Sequence, residues 1–177
     1  MKRLLIVLCA ASALVVTGAA VALAGGATRG GTVHVYGVNN GGATDNLIIT
    51  GAFAASGVSR MVGAHTSMVG TDTSMVGTDI QQVTTSTGTF KVNTSKLNNA
   101  PGTGGLNQDS CSGAFMVSEP VTLFDGTGAY EGITGTLKIK ETFAAILPQT
   151  TSGKCRDDAN PTSDVAFFQG EGTVSFK

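Results

Sequence analysis

Ile133-Thr134-Gly135-Thr136-Leu137-Lys138-Ile139-Lys140 changes character at every step. Successive side chains on a strand point to opposite faces, so Ile133, Leu137 and Ile139 share one face. Thr134, Thr136, Lys138 and Lys140 share the other. Ile133 and Leu137 are four apart, as on a helix, but Ile139 follows at two, and even spacings throughout are those of a strand. The segment is a strand with one face in a core and one in solvent. Val33-His34-Val35-Tyr36 alternates in the same way. So does the end of the chain, with Val174 and Phe176 on one face and Thr173 and Ser175 on the other.

Outward from these anchors the chain divides into short runs rich in Val, Ile, Thr and Phe, separated by Gly, Asn, Asp and Ser. The runs are Thr32–Val38, Leu47–Ala54, Ile80–Thr85, Thr89–Asn93, Ser112–Ser118, Val121–Phe124, Ile133–Ile146 and Asp164–Lys177. No long stretch carries a helical apolar period. The fold class is therefore all-β, a single antiparallel β-barrel of about eight strands, with a β-sandwich as the alternative. Glycine favours the barrel. It supplies 25 of 177 residues, about twice the usual share, and glycines inside strands suit sharp coiling and bulges. Asn98 to Gly105 and Pro148 to Pro161 are loops by composition.

Residues 1–24 are set apart from this pattern. Lys2 and Arg3 precede an apolar stretch that opens at Leu4 and runs through Val21, and Ala22-Leu23-Ala24 is a small-x-small cleavage site. The segment is expected to be a secretory signal peptide, with a mature chain starting near Gly25. An uncleaved N-terminal anchor is the rival, since the apolar stretch is about as long as a membrane span. Cys9 follows Leu8 inside the apolar segment, which is the wrong place for lipidation. The rest, 25–177, has the length of one domain. Of 11 basic residues, Lys2 and Arg3 leave with the leader, so 9 remain against 12 acidic ones. That balance argues against a polybasic nucleic-acid partner, and no stable membrane insertion is expected after cleavage.

Two cysteines remain in the exported chain, Cys111 and Cys155. An even pair in an oxidising compartment points to a disulfide. Closing a loop of that length stabilises by up to about 4 kcal/mol. No metal site is expected, because His34 and His65 have no histidine or cysteine within ligand spacing.

Residues 60–79 repeat with a period of seven: Arg60-Met61-Val62-Gly63-Ala64-His65-Thr66, Ser67-Met68-Val69-Gly70-Thr71-Asp72-Thr73, Ser74-Met75-Val76-Gly77-Thr78-Asp79-Ile80. Gly, Val and Thr are poor coiled-coil residues. An odd period would also throw Met68 and Met75 to opposite faces of a strand. The repeat is expected to be an extended loop built on turns at Gly-Thr-Asp.

Catalytic constellations are sparse. Gly126-Thr127-Gly128-Ala129-Tyr130-Glu131-Gly132 brings its third glycine one place late for a dinucleotide loop and leads into a strand instead of a helix. No cofactor is expected. There is no G-x-S-x-G nucleophile motif, and His34 and His65 have no visible Asp partner. Asp125 and Glu131 flank the same glycines as a candidate carboxylate pair. Asp157-Asp158 beside Arg156 is a solvated loop with some character of a weak calcium site, and Asn93-Thr94-Ser95 fits a glycosylation sequon.

Phe124 to Thr136, with Gly126, Gly128, Tyr130, Gly132 and Gly135, resembles a GTG-x-[YF]-x-G-x-x-G hairpin. That hairpin recurs in secreted bacterial β-proteins of unknown function and in allene oxide cyclase and dirigent-like barrels. The match covers about a dozen residues. The resemblance implies a barrel in which the glycines let a strand turn sharply and Tyr130 plugs one end. Independently, glycine tolerates positive φ at a tight bend, and tyrosine can bury its ring while its hydroxyl finds a partner. No motif carrying that family's catalytic residues aligns here.

The functional expectation is an exported barrel without a recognisable catalytic site, structural or binding in role. The alternatives are a carrier holding a small apolar ligand in the barrel interior and, resting on the fold resemblance alone, a cyclase or isomerase.

Overall fold

The structure, a computed structural model, describes residues 30–62 and 79–177. The leader at 1–24, His65 and most of the 60–79 repeat lie outside the described residues. Among the described residues nine strands follow one another: β1 (Gly30–Asn39), β2 (Thr44–Gly51), β3 (Ala55–Met61), β4 (Ile80–Thr85), β5 (Gly88–Asn93), β6 (Thr103–Asn107), β7 (Ser112–Phe124), β8 (Ile133–Ile146) and β9 (Ser163–Phe176). A short helix α1 (Ser95–Asn98) follows β5, and a 3₁₀ turn η1 (Gly128–Tyr130) leads into β8.

All pairings are antiparallel, in the order β5-β4-β3-β2-β1-β9-β8-β7-β6. The sheet closes on itself where β5 meets β7, through Lys91↔Phe124, Val92↔Leu123 and Asn93↔Thr122. Eight strands form the closed ring, and β6 lies outside it on the first half of β7. The protein is a closed eight-stranded antiparallel β-barrel, and the sandwich alternative is discarded. Closure leaves few strand edges to solvent, which removes a common route to aggregation.

Alternation places the core. Ile133, Leu137 and Ile139 of β8 are buried, whereas Thr134, Thr136, Lys138 and Lys140 are exposed. Val33 and Val35 of β1, Leu47 and Ile49 of β2, and Val121 and Leu123 of β7 join them inside. One interior position needs the smallest residue. Gly37 pairs with Phe168 across β1 and β9, and a methyl group at Gly37 would overlap the Phe168 ring. The ring takes the space that a side chain at 37 would fill.

The structure corrects several expected boundaries. β3 went unrecognised because its inward positions are Ala55, Gly57 and Ser59, too small and polar to register as an apolar face. β2 runs three residues earlier than Leu47–Ala54 and stops at Gly51, whose φ of +106° leaves the extended region. The runs Ser112–Ser118 and Val121–Phe124 are one strand through Pro120. On the side away from β8, β6 pairs with Ser112–Met116 and β5 with Thr122–Phe124. Pro120 sits in the gap between them, where a missing N–H breaks no ladder. The expected loop from Asn98 to Gly105 holds the end of α1 and the start of β6. The loop from Pro148 to Pro161 has one isolated bridge, Gln149↔Cys155.

Cys111 and Cys155 form a disulfide with sulfurs 2.03 Å apart and a sequence separation of 44. It ties the β6–β7 turn to the β8–β9 loop. Among the described residues no helix is long and apolar enough to cross a membrane.

Candidate functional site

The inward parity of each strand continues to the strand ends, where it meets two different chemistries. At the end where β1 starts and β9 finishes, aromatic rings fill the bore. Tyr130 is 3 % exposed, with its ring 5.3 Å from Phe53 and 5.2 Å from Phe90, centroid to centroid. Phe176 lies 6.1 Å from Phe53 in an edge-on arrangement. The Tyr130 hydroxyl lies 3.0 Å from Thr85 Oγ1 and 3.1 Å from Thr87 Oγ1. The backbone that presents Tyr130 uses positive φ at Gly128 (+61°) and Gly132 (+73°). Gly126 packs against the Tyr130 carbonyl, and a Cβ at Gly135 would lie 2.5 Å from the Thr173 carbonyl oxygen.

At the opposite end the same parity delivers polar groups. Asp45 stands two residues before Leu47, Ser59 two after Gly57, Gln81 two before Val83 and Glu141 two after Ile139. All four line an interior cavity of ≈ 100 Å³ whose remaining walls are mainly apolar, among them Val35, Leu47, Val83, Val92, Ile139 and Phe168. Ser59 is 1 % exposed. Its hydroxyl donates to Asp45 Oδ2 at 2.5 Å, and its oxygen lies 3.3 Å from Gln81 Oε1. Asn39 Nδ2 donates to Asp45 Oδ1 at 2.8 Å. Each oxygen of Asp45 thus has a donor, which holds the carboxylate in one orientation. Glu141 has no hydrogen-bond or ion-pair partner among the described residues. Burial pushes its carboxyl above the usual carboxylate range, and the negative charge of Asp45 adds to the shift.

The residues singled out from sequence lie elsewhere. His34 is on the outer face of β1, its Nδ1 3.4 Å from Glu171 Oε2. Asp125 pairs with Lys91 Nζ at 2.6 Å, and Glu131 is exposed, so neither carboxylate lines the cavity. Arg156 Nε is 3.3 Å from Asp158 Oδ1, and its hydrogen bond and charge hold the Asp158 carboxyl below its ordinary value. Among the described residues no group of three or more His, Cys, Asp or Glu is placed to hold a metal. Asn93 Oδ1 accepts hydrogen bonds from Ser95 N and Oγ at 3.0 and 2.7 Å.

The carboxylates that share the interior, Asp45 and Glu141, were missed because each sits at the end of a strand in a locally polar context. The signal was present in the parity: two residues beyond Ile139, and two before Leu47, lie on the buried face. No family model, curated protein or solved structure matches the chain.

Proposed function

We propose that this protein is an exported barrel that binds a small, mostly apolar molecule in its interior. The observation that carries the reading is the cavity of ≈ 100 Å³ inside the closed barrel. Native cores are packed with few voids larger than a water molecule, whereas an apolar cavity of about 150 Å³ accepts benzene. A space of this order, apolar along its walls and polar at one end, has the general character of a small-molecule site. Export is supported by the apolar leader sequence and by a disulfide of the kind that persists in oxidising compartments.

Mass spectrometry of protein isolated from its native source, under non-denaturing conditions, tests the binding reading. The expected result is a co-purifying small molecule that is lost from a Val83→Phe variant, in which the larger ring occupies the cavity. Ligand-free protein that also takes up no apolar probe would leave the barrel a purely structural element. The cyclase or isomerase alternative draws on the carboxylates beside the same cavity. Release of the bound molecule chemically unchanged after prolonged incubation favours the carrier over the enzyme.

A further inference from the structure

Polar groups around the cavity are segregated, and they are one-sided in charge. Among the described residues the lining includes two carboxylates, Asp45 and Glu141, and no lysine or arginine. The described basic residues beside the lining positions are turned elsewhere: Lys138 and Lys140, which flank Ile139 and precede Glu141, have the outward parity of β8 and are exposed. Arg60 follows Ser59 and therefore has the outward parity of β3, where it is exposed. Lys91 is engaged by Asp125. Asn39 and Ser59 direct their donors to Asp45. Glu141 receives no donor at all among the described residues.

On the reading that the interior binds a small molecule, we infer that the ligand is an amphiphilic amine, its apolar tail in the cavity and its protonated nitrogen between Asp45 and Glu141. A carboxylate head would meet two like charges. A hydroxyl head brings a single donor. A primary ammonium brings three donors and a positive charge, enough to bond Glu141, reach a free lone pair of Asp45 and still face Gln81 Oε1 or solvent. Two partly buried carboxylates without a counter-cation are costly to a fold, and that cost is removed when a cation arrives. Burial first, and the charge of Asp45 second, displace the Glu141 carboxyl upward. The tail is short: a volume of ≈ 100 Å³ accommodates no more than about six carbons, judged against the cavity that accepts benzene.

The test is calorimetric titration of the full chain, disulfide intact, with hexylamine, 1-hexanol and hexanoate, which share a tail and differ in the head. Hexylamine is expected to bind about tenfold more tightly than hexanol, the scale of one charge-assisted hydrogen bond, with hexanoate the weakest. Glu141→Gln is expected to bring the hexylamine-to-hexanol ratio down towards one. Equal binding of amine and alcohol by the unmodified chain would overturn the amine assignment and leave the cavity reading standing. Binding of none of the three would overturn both. If Glu141→Gln does not fold, the ratio measured on the unmodified chain still decides.

Discussion

At one end of the barrel Tyr130 has its ring packed between Phe53 and Phe90 and its hydroxyl matched by Thr85 and Thr87. At the other, Glu141 lies half-buried near Asp45 without a partner of its own among the described residues. The first end satisfies every requirement of a stable core: aromatic burial, edge-on contacts and a paired polar tip. The second leaves a carboxyl without a partner among the described residues beside the cavity. Natural folds give up stability in this manner mainly where a ligand or reaction needs the group. The contrast therefore separates an end closed by aromatic packing from an end where two carboxylates share the barrel interior.

The sharpest way to break this contrast is to remove the Tyr130 ring. Tyr130→Ala is expected to destabilise the protein by about 3–5 kcal/mol, the range for truncating a large buried aromatic. Tyr130→Phe, which keeps the ring and leaves two threonine hydroxyls free to turn elsewhere, is expected to cost about 1 kcal/mol. Urea denaturation of the two variants measures the difference, and equal small losses would show that the ring does not close the barrel.

Next in size is the covalent tie beyond the polar end. Replacing Cys111 and Cys155 together by serine is expected to lower stability by up to about 4 kcal/mol, from the loop-closure entropy returned to the unfolded chain. Thermal unfolding with and without the substitutions measures it. An unchanged midpoint would mean that strand pairing alone holds the β6–β7 turn against the β8–β9 loop.

Gly132→Val tests the backbone that presents Tyr130. With φ at +73° and a Cβ that would lie 2.9 Å from the Lys177 carbonyl oxygen, a β-branched residue is strained by about 1–3 kcal/mol. The loss is expected in denaturation midpoints. A neutral result would place the strain elsewhere in the turn.

The smallest effect is expected at Glu141. Its carboxyl titrates above the ordinary range in the folded state, so folding favours the protonated form. The stability associated with that form is complete below the ordinary carboxylate range and is lost as pH rises through the raised value. Asp45 is the other titratable group among the cavity-lining residues, and its charge acts in the same direction. Glu141→Gln removes this loss. Compared with the unmodified protein, the variant is expected to gain stability between about pH 3 and about pH 7 in denaturation experiments. A gain of the same size at both pH values would trace the effect to packing instead of charge.

Much of the barrel was legible locally. Ile133–Ile146 and Ile80–Thr85 have the bounds expected from their residues, because alternation and β-branched side chains report a half-buried strand without reference to any neighbour. β3 was invisible for the converse reason: Ala55, Gly57 and Ser59 become an inward face only when adjacent strands supply the enclosing wall. β6 was hidden similarly, as Thr103-Gly104-Gly105 has loop composition until β7 pairs with it.

The same division runs through the candidate site. Strand period, cysteine count and glycine content sufficed for an all-β barrel with one disulfide, since these depend on neighbours along the chain and on a count. The meeting of Asp45, Ser59, Gln81 and Glu141 around one cavity depends on the registers of β2 with β3, β3 with β4 and β8 with β9, and on closure through β5 and β7. Glu141 is 96 positions from Asp45 along the chain, and no local pattern couples them. Periodicity tells which face a residue takes; only the closed sheet makes that face an interior and sets four distant polar groups at one end of it.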